Sequence, residues 1–220
     1  MSQRTYDDAC GAARAMDVIG ERWALLVVRE LIFGPKRFRD LRDGLPKASQ
    51  NVLSQRLRDL ETSGVVTRVE LGPPASTHAY ALTERGRQLE PVLIALSRWG
   101  AHVPAPDEAE MSIDAFMLML KALYQAPDDQ RSTLSVGIDV GADSFTVNTT
   151  PDSIDITRAT NPDAQVTMRA DVGTLRQLTF GEVSADAAVK SGHADIQGPL
   201  KLAQQFFRYF EMPALAGLAV

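Results

Sequence analysis

In the stretch SQNVLSQRLRDLET (49–62), Asn51, Gln55 and Arg58 recur at spacings of four and three residues. On a helix turning about 100° per residue, that spacing lines two amides and a guanidinium along one face. Such groups carry the paired donors and acceptors that match adenine and guanine edges in a major groove. Leu53, Leu57 and Leu60 fall in one narrow sector on the other side, so the polar stripe points outward. Gln50 and Ser54 flank the stripe, and Ser49 stands where a helix N-cap belongs. The competing reading is a solvated structural helix, which more often carries Glu and Lys pairs on its outer face.

The surroundings of this segment are basic. Residues 35–60 hold seven Lys and Arg against three Asp, in a chain of formal charge −5. Lys36, Arg37, Arg39 and Lys47 border the turn ahead of the segment and are expected to meet phosphates. Behind it, VVTRVEL (65–71) and HAYALT (78–83) alternate in the manner of strands, with the turn-rich tip GPPAST (72–77) between them. Arg68 and His78 lie on these two runs and complete the expected DNA-binding set.

Helical patterns position these groups. Apolar residues from Gly11 to Phe33 keep three- and four-residue spacing, with a break expected at Gly20. Phe38, Leu41 and Leu45 mark a short helix that Gly44 and Pro46 end, and Gly64 stops the next one. Thr83 is placed to cap a helix running to about Gly100, with Leu89, Val92, Leu93, Leu96 and Trp99 on an apolar stripe and Pro91 as a kink inside it. A short helical pair followed by two strands and a loop makes a winged helix-turn-helix, whose second helix enters the major groove. Part of the apolar stripe is expected to bury against a second copy; packing within one chain is the alternative.

Residues 10–68, with YALTERGRQLEPVLIALSRWG (80–100), resemble the HxlR-type transcriptional regulators. The likeness is carried by Ile19–Trp23 (IGxRW), Gly34–Arg42 (GPxRFxxLR), the Ser49–Gly64 helix and Tyr80–Gly86 (YxLTxxG). It implies a winged-helix homodimer on double-stranded DNA with a near-palindromic operator. It also implies a dimer interface built from the N-terminal segment and the helix after the wing. Cys10, the single cysteine, sits where some members of that family sense oxidants or electrophiles, although their Cys-Pro pair is Cys-Gly here. Asp7 and Asp8 would raise the thiol pKa and Arg4 and Arg14 oppose them, so Cys10 is read either as a redox group or as a packed, unreactive thiol, the latter being favoured.

The second half differs in charge and pattern. Residues 1–102 balance at +3 and residues 103–220 at −8, which points to two units with different partners. HVPAPDEAEMS (102–112) marks the seam, giving expected domains at 1–104 and 105–220. An amphipathic helix at 112–125 precedes alternating runs at 134–140, 144–150, 153–159 and 164–170, then helical patterns, an edge strand at 193–198 and a closing helix at 199–210. The expected fold class is α+β: a winged helix-turn-helix domain, then a small α+β domain with an antiparallel sheet. KSGHADIQGPLKLAQQFFRYF (190–210) resembles the sterol-carrier-type lipid-binding family. That likeness implies a pocket for an apolar or amphipathic effector, for which Phe116, Met117, Leu120, Phe145, Leu178, Phe206, Phe207 and Phe210 are the expected lining. The competing reading of such stripes is plain core.

No catalytic constellation stands out. His78, His102 and His193 are scattered without metal-ligand spacing, Asp128–Asp129 reads as turn chemistry, and no cofactor motif is present. The N-terminus has no signal-peptide run and no stretch approaches a membrane span of about 18 apolar residues, so a cytoplasmic protein is expected. The leading reading is a sequence-specific, effector-controlled transcriptional repressor. A lipid or metabolite carrier using the helix-turn-helix as an interaction module, a redox-responsive regulator acting through Cys10, and an enzyme in the second half are the alternatives.

Overall fold

The computed structural model describes residues 5–72, 77–104, 109–125 and 133–212. The wing tip at 73–76, the expected seam at 105 and the Asp128–Asp129 turn lie outside the described residues. The chain forms two compact units, Met1–Leu93 and Ile94–Val220.

The first unit opens with α1 (Gly11–Ile19), α2 (Ala24–Leu31), α3 (Phe38–Gly44) and α4 (Gln50–Thr62). Gly20 ends α1 as expected. The next turn is made by Trp23, whose φ of 77° places a bulky residue in the left-handed region at the start of α2, a conformation costing about 1–3 kcal/mol. Ser49 caps α4, its hydroxyl accepting from the Val52 amide at 3.4 Å. Leu53, Leu57 and Leu60 are buried with Val27, Val28, Leu31 and Leu41, each leucine contributing about 1.5–3 kcal/mol. β1 (Val66–Leu71) and β2 (Thr77–Leu82) then pair antiparallel as the wing. Lys36 joins them through a backbone bridge: its amide donates to the Tyr80 carbonyl at 2.9 Å and its carbonyl accepts from the Tyr80 amide at 2.8 Å.

After the wing, the single helix expected from Thr83 to Gly100 is two: α5 (Glu84–Arg87) and α6 (Glu90–Gly100). Pro91 explains the break, since it has no N–H to offer the Arg87 carbonyl; it sits in the first turn of α6, where that loss is tolerated. Thr83 does cap, its hydroxyl accepting from the Gly86 amide at 3.1 Å. Gly86 packs so closely that a Cβ there would lie 2.2 Å from the Val65 carbonyl oxygen.

The compact units divide within α6, earlier in the chain than the expected seam. Arg98, on the last turns of α6, belongs to the second unit, where its Nε donates to the Ala122 carbonyl at 2.7 Å. That unit continues with α7 (Ile113–Leu123), β3 (Leu134–Val140), β4 (Asp143–Thr149), β5 (Ile154–Thr157), β6 (Val166–Ala170), α8 (Val172–Thr179), α9 (Ala185–Lys190), β7 (Ala194–Gln197) and α10 (Leu200–Phe207). The strands form one sheet in the order β5-β4-β3-β6-β7. The class is α+β, but the sheet expected to be antiparallel is mixed, because β6 runs parallel to β3. The reason lies in residues 158–165, which cross the sheet instead of turning back beside β5. Hydrogen bonds hold this crossover to the strands: Thr146 Oγ1 to the Ala159 carbonyl, Asn161 Nδ2 to Ser135 Oγ, the Ser135 amide to Gln165 Oε1, and the Gln165 amide to the Ser135 carbonyl.

One face of the sheet is apolar, with Leu134, Val136, Ile138, Phe145, Val147, Val166 and Met168 buried; α7 and α10 pack in this layer. At its edge Arg158 holds together two acids. Its guanidinium pairs with the fully buried Asp114 carboxylate on α7 at 2.6 Å and with Asp143, and it stacks over the Phe145 ring at 4.5 Å. Replacing Arg158 with Leu removes one side of a buried ion pair, a change that costs about 3–5 kcal/mol. Arg158 is 24% exposed, so the expected loss lies toward the lower figure, read as a drop in the urea midpoint of the full chain. An unchanged midpoint would show that α7 is held on the sheet without this pair.

Candidate nucleic-acid interface

The burial of Leu53, Leu57 and Leu60 settles which side of α4 is free. Gln50, Asn51, Gln55 and Arg58 are exposed and Ser54 is half-buried, so the expected base-reading set stands together on one face. Its side chains hold one another: Arg58 donates to Gln55 Oε1 at 2.8 Å, and Gln55 Nε2 donates to Asp59 Oδ1 at 2.7 Å. Asp59 in turn pairs with Arg56 at 3.0 Å. This relay orients the amide and guanidinium before any partner arrives, which lowers the rotamer entropy lost on contact. Val52, 37% exposed beside Asn51, was not singled out from the sequence. An apolar side chain flanking the amides is suited to a thymine methyl, and its departure from the leucine register was the available signal.

The basic residues around the turn fall into two groups. Arg37, Arg39 and Lys47 are exposed. Arg37 donates to both Asp40 oxygens, at 2.9 and 3.0 Å, and Arg39 lies 3.7 Å from Asp43. The Arg37 guanidinium beside it, with the hydrogen bonds it donates, holds the Asp40 carboxyl below its ordinary range. Solvent-exposed pairs of this kind are worth about 0–1 kcal/mol, so these cations remain exchangeable for phosphate. Lys36 departs from the expectation. Its side chain is only 12% exposed, and its ammonium lies 2.9 Å from the buried Glu30 carboxylate, so a folded-in acid holds it.

On the wing, Arg68 and His78 are exposed. Arg68 stacks over Tyr80 at 5.7 Å and lies 3.4 Å from Glu61; His78 lies 4.0 Å from Glu70.

Cys10 is not packed as expected but exposed, because it stands at the N-cap of α1. Hydrogen bonding to the Ala12 and Ala13 backbone amides lowers its thiol pKa below the ordinary value. The residue reading weighed only nearby charged side chains and missed this, because the effect comes from free N–H groups at a helix start.

The expected apolar lining is gathered in the second unit, but as packing. Phe116, Met117, Leu120, Phe145, Leu178, Phe206, Phe207 and Phe210 are all buried. Phe206 meets Phe207 and Phe210 edge-on, with ring centroids 5.5 and 4.9 Å apart. A cavity of about 240 Å³ lies instead beneath the 158–165 crossover, lined by Gly137, Asp139, Phe145, Thr160, Asn161, Pro162 and Thr167.

Residues 18–108 match the HxlR-like helix-turn-helix family and residues 127–211 match the SCP-2 sterol transfer family. The HTH-type transcriptional regulator sll1512 of Synechocystis sp. is 36% identical over 104 residues, which span 47% of this chain and 77% of that protein. The regulator YvaP of Bacillus subtilis is 38% identical over 86 residues, 39% of this chain and 80% of its own length. The solved structure of the reduced form of the transcriptional regulator YodB from B. subtilis is 31% identical and covers 46% of this chain and all of its own, with a TM-score of 0.39. Among the described residues, no helix is long and apolar enough to cross a membrane. Carrying an outward amide–guanidinium face on α4 beside a two-stranded wing, the chain belongs to the HxlR-like helix-turn-helix family of DNA-binding regulators.

Proposed function

We propose that the protein is a homodimeric repressor that reads a near-palindromic operator through α4 and answers to an apolar or amphipathic small molecule held by its second unit. The observation that carries this reading is the exposed Asn51–Gln55–Arg58 face, tied by its own hydrogen bonds and bordered by Arg37, Arg39 and Lys47. The dimer is supported by α6, where Val92, Leu96 and Trp99 form one stripe that is 47%, 45% and 73% exposed. Tyr6, Met16 and Leu26 are exposed as well, and apolar surfaces of these kinds are suited to a second copy. Two-fold symmetry would then place two α4 helices about 34 Å apart, facing successive major grooves.

Arg58→Ala should weaken binding to the duplex that the wild-type protein selects from a random-sequence pool by about 1–3 kcal/mol. Binding to a scrambled duplex should hardly change. Neutralising Arg39 or Lys47 should act on both duplexes and reduce the salt-dependence slope by about 0.9 each. A gel shift with excess competitor DNA reads both effects. If the wild-type protein selects no duplex, the carrier reading takes precedence.

The effector is supported by the SCP-2 match and by the aromatic and methionine content of the layer between the sheet and its helices. The packed state of that layer means a ligand must displace side chains to enter. Native mass spectrometry of protein purified from its own cells should show an added small-molecule mass, and that molecule should release the selected duplex. A bound mass without effect on DNA would separate carriage from control.

A second reading, redox control, is favoured by one observation: the Cys10 thiol is exposed and its pKa is lowered by backbone amides. The rate of its alkylation by iodoacetamide should therefore reach half-maximum at a lower pH than for a free cysteine. A midpoint at or above the ordinary value would remove the case for a sensor.

A further inference from the structure

Among the described residues of the first unit, Glu30 is the acid with no exposed surface. It sits on α2, and three segments converge on its carboxylate. Arg29 donates from Nε and Nη2 at 3.1 and 2.8 Å, and Lys36, in the turn ahead of α3, donates at 2.9 Å. Gly44, the last residue of α3, approaches so closely that a Cβ there would lie 2.2 Å from Glu30 Oε2. The Lys36 backbone meanwhile pairs with Tyr80 on β2, and Arg68 lies over the Tyr80 ring. One carboxylate therefore ties the end of α2 to the turn ahead of α3 and, through Lys36, to the wing, with the last residue of α3 packed close against it.

Stability alone is a poor reason for this arrangement. Burying an acid and an ammonium costs desolvation, and well-packed apolar residues often serve as well or better. What an apolar pair could not supply is direction: the ammonium must reach one point, and the carboxylate takes it only there. The turn and the wing strand then keep a fixed position relative to α4, whose register is set separately by its leucines.

We infer that Glu30 and Lys36 form a positioning pair that locks the wing to the helix-turn-helix, and that Lys36 gives its charge to Glu30 instead of to a DNA phosphate. The inference rests on the DNA-binding reading above. It makes two statements about one residue that a phosphate contact would reverse. Lys36 should not count in the salt dependence of DNA binding, yet its loss should blur sequence discrimination, because the wing and α4 would no longer meet the duplex in a fixed relation.

The test uses full-length protein, the duplex selected by the wild type, and a scrambled duplex of equal length, across a salt series. In Lys36→Met the salt slope should match that of the wild type, while the affinity ratio between the two duplexes falls about tenfold, the size of one lost base contact. A slope reduced by about 0.9 would make Lys36 a phosphate contact and overturn the inference; so would an unchanged ratio. Glu30→Gln keeps the shape and frees the ammonium, so the ratio should fall while the slope stays or steepens. Gly44→Ala alters no charge but crowds Glu30, and should lower the ratio alone, which covers the case in which a charge variant does not fold. If the wild type selects no duplex, the DNA-binding reading fails and the inference falls with it; if it selects one and Lys36→Met lowers the slope, only the inference fails.

Discussion

Leu53, Leu57 and Leu60 cannot turn toward water without each giving up about 1.5–3 kcal/mol, and that constraint fixes the rotation of α4. With the three side chains buried, as are Val27, Leu31 and Leu41, Asn51, Gln55 and Arg58 have only the solvent side left. Ser49 sets where the helix begins, and Gly64, at a φ of 69°, ends it and turns the chain into the wing. Every feature proposed to meet DNA is placed relative to this helix: the cations of the turn before it, and the strands after it.

Charge around α4 is less free than composition suggests. Most of the cations in residues 35–60 have an acid nearby: Lys36 with Glu30, Arg37 with Asp40, Arg39 and Arg42 with Asp43, Arg56 with Glu21 and Asp59. Their exposure separates them into kinds. Pairs open to water give up little when a phosphate replaces the carboxylate. Lys36 and Arg56, at 12% and 17% side-chain exposure, are held within the fold. Among the described residues, Lys47 and Arg58 have no ion pair, so the positive field that DNA would meet is carried by fewer groups than a count of residues implies.

The second unit shows a different balance. Its apolar face is closed by aromatic and aliphatic packing, while the buried Asp114 is paired at the sheet edge by Arg158. An effector in this layer must therefore compete with the core's own contacts, and binding would be coupled to rearrangement of α7 or α10. Such coupling is the physical means by which a small apolar molecule can alter a protein's shape, since it binds one packing better than another.

Local pattern decided much of this protein. The period of the leucines determined α4 and its outward stripe, and the alternation at 65–71 and 78–83 determined the wing. These features are legible because a helix face or a strand face depends only on neighbours a few residues apart. What residues distant in the chain do to one another was not legible. Lys36 read as a surface cation until Glu30 was found beneath it. Antiparallel strands were expected from alternation, yet β6 lies parallel to β3 because the 158–165 crossover passes over the sheet. Alternation tells which residues share a face and nothing about which strand lies alongside. The aromatic residues of α10 were expected around a ligand and are packed core, since helical spacing is the same for both. Partner, direction and closure are properties of the folded contacts, and only the tertiary structure could supply them.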